Sequence, residues 1–165
     1  MADCEEIDSQ LDACRGDCHL RDERLAKRVV DALAHFEGVR HRLHAWCVMP
    51  NHVHVVFSIL ASWGMDIDCR GDGAPDRTPL AELLKSWKSF TSREANAILG
   101  RSGPFWQKEY YDHLVRGDRE FYHAVEYTRQ NPVKAGLCRD WKEWSWSGVG
   151  LLDIGKLEKL LEEWR

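Results

Sequence analysis

His52-Val53-His54 is a place in the chain where residue types and spacing could do chemistry. Side chains two apart on an extended strand project to the same face, so both imidazoles emerge together while Val53 and Val55 turn away. Two neighbouring imidazoles can hold one divalent cation and leave its remaining coordination open. A bare His-x-His also describes ordinary surface histidines, and alone it decides nothing. Tyr127 and Asn131 form a second pair, four apart in a stretch of helical periodicity and so on one helix face. With Phe121, Val125 and Thr128 as the core stripe, that pair falls on its shoulder. Read alone, it is a half-buried tyrosine and a C-terminal cap ahead of Pro132.

The elements that must position these residues can be read from periodicity. Leu25, Val29, Leu33 and Phe36 recur at helical spacing between Arg21 and Gly38. Arg40 to Met49 is rich in strand formers, Pro50-Asn51 makes a turn, and His52 to Ile59 alternates as a second strand, which together predict a hairpin. Ser62 to Thr78, with Gly64, Gly71, Gly73 and Pro75, reads as an exposed loop. Thr78-Pro79 starts a long helix, with Thr78 as N-cap, that ends at Gly100. Phe105 to Val115 reads as an aromatic extended strand, and a third helix runs from Gly117-Asp118 to a stop at Asn131-Pro132. Trp141, Trp144 and Trp146 mark a tail that folds back on the domain, and Leu151 to Trp164 reads as a short amphipathic helix.

This order predicts an α+β protein with a ferredoxin-like antiparallel sheet, helices on one face, and the first strand missing. Residues 1–20 form an acidic segment with almost no β-branched residue, followed by a main domain over 21–146 and a tail over 147–165. The length of 165 residues suits one domain, and 44% hydrophobic with 30% charged residues excludes a disordered tail or a fibre. No run approaches the roughly 20 apolar residues of a membrane span, and the acidic start is no signal sequence, so a cytoplasmic location is expected. The net charge of −4 argues against non-specific coating of nucleic acid, so any DNA-binding face must be local. The six cysteines include Cys14-x3-Cys18-His19, but no second pair completes a zinc site. Reduced thiols are the simpler reading.

Met49-Pro50-Asn51-His52-Val53-His54-Val55, followed by Tyr127-Thr128-Arg129-Gln130-Asn131-Pro132-Val133-Lys134-Ala135-Gly136-Leu137, closely resembles the REP-associated tyrosine transposases. These are single-tyrosine members of the HUH endonuclease group. Leu84-Lys85-Ser86-Trp87-Lys88-Ser89-Phe90-Thr91 and Phe105-Trp106-Gln107-Lys108-Glu109-Tyr110-Tyr111-Asp112 are similar to that family too. The resemblance runs from about Cys14 to Trp146, and the combined pattern is far more specific than either half. It implies that His52, His54 and Asn131 bind a divalent metal, Mg²⁺ or Mn²⁺, and that Tyr127 is the nucleophile. The implied reaction cuts and rejoins single-stranded DNA beside a REP-type hairpin through a 5′-phosphotyrosine. Tyr110, Tyr111 and Tyr122 lack a partner like Asn131.

Lys85, Lys88 and Arg93 lie off the apolar stripe of the long helix and are candidate phosphate contacts, with a solvated helix face as the equal alternative. Trp106 and Gln107 are candidates for stacking and hydrogen bonding to unpaired bases, although core packing suits Trp106 better. Members of the family usually carry a strand ahead of the first helix. Its absence here makes a hairpin-binding derivative that no longer cuts the second reading. A homodimer is left open.

Overall fold

The computed structural model describes residues 17–68, 78–108 and 110–150, together with Gly155, Lys159 and Glu163. Most of the acidic segment, Cys14, and nearly all of the expected Leu151–Trp164 helix lie outside the described residues, as does any first strand drawn from 1–16. The elements are α1 (Glu23–Ala34), β1 (His41–Val48), β2 (Val53–Ile59), α2 (Ala61–Asp68), α3 (Pro79–Leu99), α4 (Asp118–Lys134) and β3 (Ser147–Val149). The protein is α+β, with a three-stranded antiparallel sheet in the order β2-β1-β3. Two compact units are distinguished: one gathers His44–Val56 and the chain from Tyr111 onward, the other Asp22–Leu43 and Phe57–Tyr110.

In the second unit, α1 begins at an Asp22 cap and buries Leu25, Val29 and Leu33. Helix α3 begins as its sequence demands: the Thr78 hydroxyl accepts from the Ala81 amide at 3.1 Å, and Pro79 opens the first turn. It ends at Gly100, whose φ of 64° is the left-handed conformation that favours glycine. His41 is fully buried between these helices; its Nε2–H donates to the Leu33 carbonyl at 2.8 Å, and its ring meets Trp87 edge-on. Helix α2 replaces the first part of the loop expected over Ser62 to Thr78; residues 69–77 lie outside the described residues. One Gly in a helix costs about 1 kcal/mol, and Gly64 takes a helical hydrogen bond to the Leu60 carbonyl at 3.0 Å. Trp63 also contributes an aromatic face to Arg40, which lies over the Phe36 ring as well.

The expected strand over Phe105–Val115 does not form; the described residues of that stretch are irregular. Its start is tied to α3 instead. Trp106 Nε1–H donates to Thr91 Oγ1 at 2.7 Å, and Lys88 Nζ donates to the Gln107 carbonyl at 2.6 Å.

In the first unit, the third strand comes from the tail. β3 pairs antiparallel with β1 in the register Ala45↔Val149, Trp46↔Gly148, Cys47↔Ser147. A three-residue Ser-Gly-Val strand has too short a pattern to be read in advance. Its glycine has a specific reason: a Cβ at Gly148 would lie 2.3 Å from the Trp46 ring, which covers the position. The tryptophan tail does fold back. Trp144 Nε1–H donates to the Val48 carbonyl at 3.0 Å, and Trp141 lies against the Arg129 guanidinium.

Helix α4 runs through Pro132 to Lys134 rather than stopping at Asn131. Its end is a Schellman turn. The Gly136 amide donates to Val133 and the Leu137 amide to Pro132, with Gly136 at φ 69°. Pro132 lacks only the one donor that would have bonded within the last turns. Asn131 therefore sits inside the helix, fully buried, and not on an exposed shoulder or cap.

Two outcomes follow for stability. Gly148→Ala must displace the Trp46 ring, and its unfolding free energy in urea should fall by roughly 1–3 kcal/mol. Burial lowers the pKa of His41 from 6.5, so its neutral form is favoured in the folded state. Its stabilisation is therefore complete above pH 6.5 and is lost as pH falls from there toward the folded pKa. Comparing urea midpoints at pH 8 and pH 5.5, His41→Leu should show a smaller acid loss than the wild type.

Candidate active site

The hairpin turn and α4 build the site, and all its residues belong to the first unit. Within that unit, Ala45 and Val125 form a buried cluster, with Val56, Phe121, Tyr122 and Val149 packed against it. Strand alternation puts His54 on the same face as Val56, two residues earlier. The register that sends Val56 toward Val125 therefore also turns His54 toward α4. The turn is held from two sides: the Met49 amide donates to the His52 carbonyl at 2.9 Å, and the Leu20 amide donates to the Pro50 carbonyl at 2.9 Å.

Three polar groups converge there. His52 Nε2 and His54 Nε2 are 2.9 Å apart, and the Asn131 amide nitrogen lies 3.1 Å from His54 Nε2. His52 Nδ1 lies 2.7 Å from Asn51 Oδ1, a pairing in which the ring nitrogen donates and Nε2 keeps its lone pair. Burial first, and the neighbouring His54 second, push the His52 pKa down to about 3, so the ring is neutral at physiological pH.

Asn131 Oδ1 is buried with no hydrogen-bond partner among the described residues. Amide orientation is an assignment, and a half-turn would point this orphaned oxygen at His54. Two imidazole nitrogens and an amide oxygen, each about 3 Å from its neighbour, have the spacing of donors around one cation at ~2.1 Å. The donor set therefore fits a divalent metal. No group of three or more His, Cys, Asp or Glu forms a metal site among the described residues, so Asn131 is the third donor the geometry offers.

Tyr127 is half-buried, with its ring edge-on to His54 at 5.6 Å between centroids. The Lys134 ammonium lies 4.3 Å from the centroid of the same ring. Residues 127, 131 and 134 share one stripe at the four-and-seven spacing of a helix face. Asn51 and Lys134 were missed as site residues by motif reading. Asn51 adjoins His52, and Lys134 stands at helical spacing from Tyr127, so both signals were present in the sequence.

The sequence-derived DNA contacts lie in the other unit. Lys85 and Arg93 are exposed on α3, and Arg93 lies near the Phe90 ring and Glu94. Lys88 is committed to the carbonyls of Gln107 and Lys108, while Trp106 is half-buried and tied to Thr91. Gln107 is exposed. Tyr110 and Tyr111 are exposed, and Tyr122 packs against the core cluster.

The chain is 23% identical over 105 residues to a REP-associated tyrosine transposase of Escherichia coli K12, covering 64% of this chain and 52% of the relative. Over 121 residues it is 27% identical to a Haemophilus influenzae protein provisionally given the same family name, covering 73% and 64%. The chain thus spans between about half and two-thirds of the length of these curated relatives. No protein-family model matches it. A solved REP-associated tyrosine transposase bound to a REP hairpin superposes with a TM-score of 0.53 at 19% identity, covering 81% of this chain and 68% of that one. At that identity the superposition speaks to the fold, which the two share. In motif order, in sequence and in fold, the chain is similar to the REP-associated tyrosine transposases.

Proposed function

We propose that the protein is a metal-dependent DNA strand transferase that cuts and rejoins single-stranded DNA beside a REP-type hairpin, with Tyr127 as nucleophile. The observation that carries this reading is the convergence of His52, His54 and the orphaned Asn131 amide beside the Tyr127 ring. An ordinary surface His-x-His does not bury its partner amide or place a tyrosine against its second ring.

His52 and His54 would bind the cation through Nε2, and Asn131 through Oδ1. All three ligands are neutral, so they leave the full charge of Mg²⁺ or Mn²⁺ for an anionic substrate. The bound cation supplies Lewis-acid stabilisation of the charge that develops on the phosphodiester oxygens. Asn51 holds the His52 proton on Nδ1 and keeps Nε2 available. Tyr127 Oη forms a bond to phosphorus as the P–O3′ bond breaks. The phenol proton leaves, and the departing 3′ oxygen takes one up to become a hydroxyl. The 5′-phosphotyrosine retains the energy of the diester, so rejoining to a second 3′-hydroxyl regenerates the phenol without ATP. Among the described residues no helix is long and apolar enough to cross a membrane.

The test is incubation with Mn²⁺ and a labelled REP-type hairpin carrying single-stranded flanks, read on a denaturing gel. A protein-linked DNA band is expected, lost in Tyr127→Phe and reduced at least ~100-fold in His54→Ala. Hairpin binding with no covalent band would instead identify a derivative that binds without cutting. Cleavage surviving in Tyr127→Phe would remove Tyr127 as nucleophile. Manganese affinity, measured by titration calorimetry, should fall by about 10–100-fold in Asn131→Ala if the amide is a ligand.

A further inference from the structure

We propose that Lys134 is the phosphate-contacting residue of this site: its ammonium holds a non-bridging oxygen of the phosphate that Tyr127 attacks. The inference rests on the reading of Tyr127 as nucleophile and adds to it the group that positions the substrate. Lys134 stands seven residues after Tyr127, almost in line with it along α4. Side chains on a helix lean toward its N-terminus, which carries the lysine back over the tyrosine ring. The ammonium lies 4.3 Å from the ring centroid while the residue remains exposed to solvent.

Of the cations in the helix, Arg119 lies eight residues before Tyr127, and Lys134 is the one found over the Tyr127 ring. Arg129 is buried, paired with Glu126 and covered by Trp141. Among the described residues no carboxylate pairs with Lys134; its one contact of this kind is the tyrosine ring. In a chain of net charge −4, a DNA phosphate brought to Tyr127 meets general repulsion, so a local cation at the nucleophile changes the balance. A phosphate with its phosphorus about 3–3.5 Å from the attacking oxygen and an oxygen accepting from an ammonium at about 2.8 Å is the kind of group a lysine lying over the nucleophile's own ring would meet. A cation in the last turn also complements the helix dipole. That role, unlike phosphate contact, is indifferent to the charge on one DNA phosphate.

This difference sets the experiment. In a Tyr127→Phe background, which keeps the ring and prevents cleavage, hairpin affinity is measured by fluorescence anisotropy with Mn²⁺ across a KCl series. Lys134→Gln and Lys134→Arg are compared with Lys134. The DNA carries either a normal phosphate or a neutral methylphosphonate at the scissile position mapped from the covalent product. With the normal phosphate, Lys134→Gln should bind about 10-fold more weakly with a salt slope reduced by about one, and Lys134→Arg should recover most of the loss. With the methylphosphonate, Lys134 and Lys134→Gln should bind alike. Equal affinities for the normal phosphate, or a loss that persists with the methylphosphonate, would overturn the assignment while leaving Tyr127 untouched. Failure of every protein to bind the hairpin would instead overturn the functional reading, and the role of Lys134 with it.

Discussion

The arrangement depends on burying one amide. Asn131 has no exposed surface, and its side chain meets His54. A buried amide costs free energy unless its polar atoms find partners, and Oδ1 finds none among the described residues. A position that keeps such a group inside a helix must be held by something stronger. Here that is the apolar contact of Val125 with Ala45 and Val56, together with a helix end closed by the Gly136 turn. A bound cation would give the unpartnered oxygen its missing interaction, so the cost of burying this amide and the fit for a metal have one origin.

The hairpin answers the same constraint from the other side. β1 lies between two strands and pairs through both edges, so it presents no open edge. The tail supports it. β3 adds a strand, and Trp144 donates to a β1 carbonyl, so residues close to the end of the described chain help position a motif near residue 50. The Trp46 ring takes the space over Gly148, which explains why so short a strand can still pack. The His52 ring, buried and neutral, is thereby presented with its lone pair inward.

The electrostatics are local. A chain of net charge −4 carries no overall positive field, so what its cations can attract depends on their placement. Lys88, one of the cations best placed by sequence for DNA, is spent holding loop carbonyls. Lys134, which no motif singles out, lies on the tyrosine ring. Charge counting and charge placement give different answers because a side-chain ammonium can be consumed by the protein's own backbone.

Much of the local structure was legible from residues alone. Thr78, Pro79 and Gly100 bound α3 because caps act on the adjacent turn. The Pro50-Asn51 turn and the alternation around His52 and His54 marked the hairpin because strand pleating is a two-residue property. The candidate site residues and the family resemblance were legible for the same reason: their types and spacing are written in the chain. What the sequence could not decide was each outcome set by a distant partner. Phe105–Val115 has strand-forming residues but no strand among its described residues, and its start is anchored to Thr91 and Lys88 of α3. Ser147–Val149 has almost no strand signal but pairs with β1. Pro132 reads as a stop, whereas the Schellman turn beyond it carries α4 onward and draws Asn131 inward. Sequence alone determined which groups are candidates for chemistry; only the tertiary structure decided which of them meet, because burial and pairing energies belong to contacts between residues far apart in the chain.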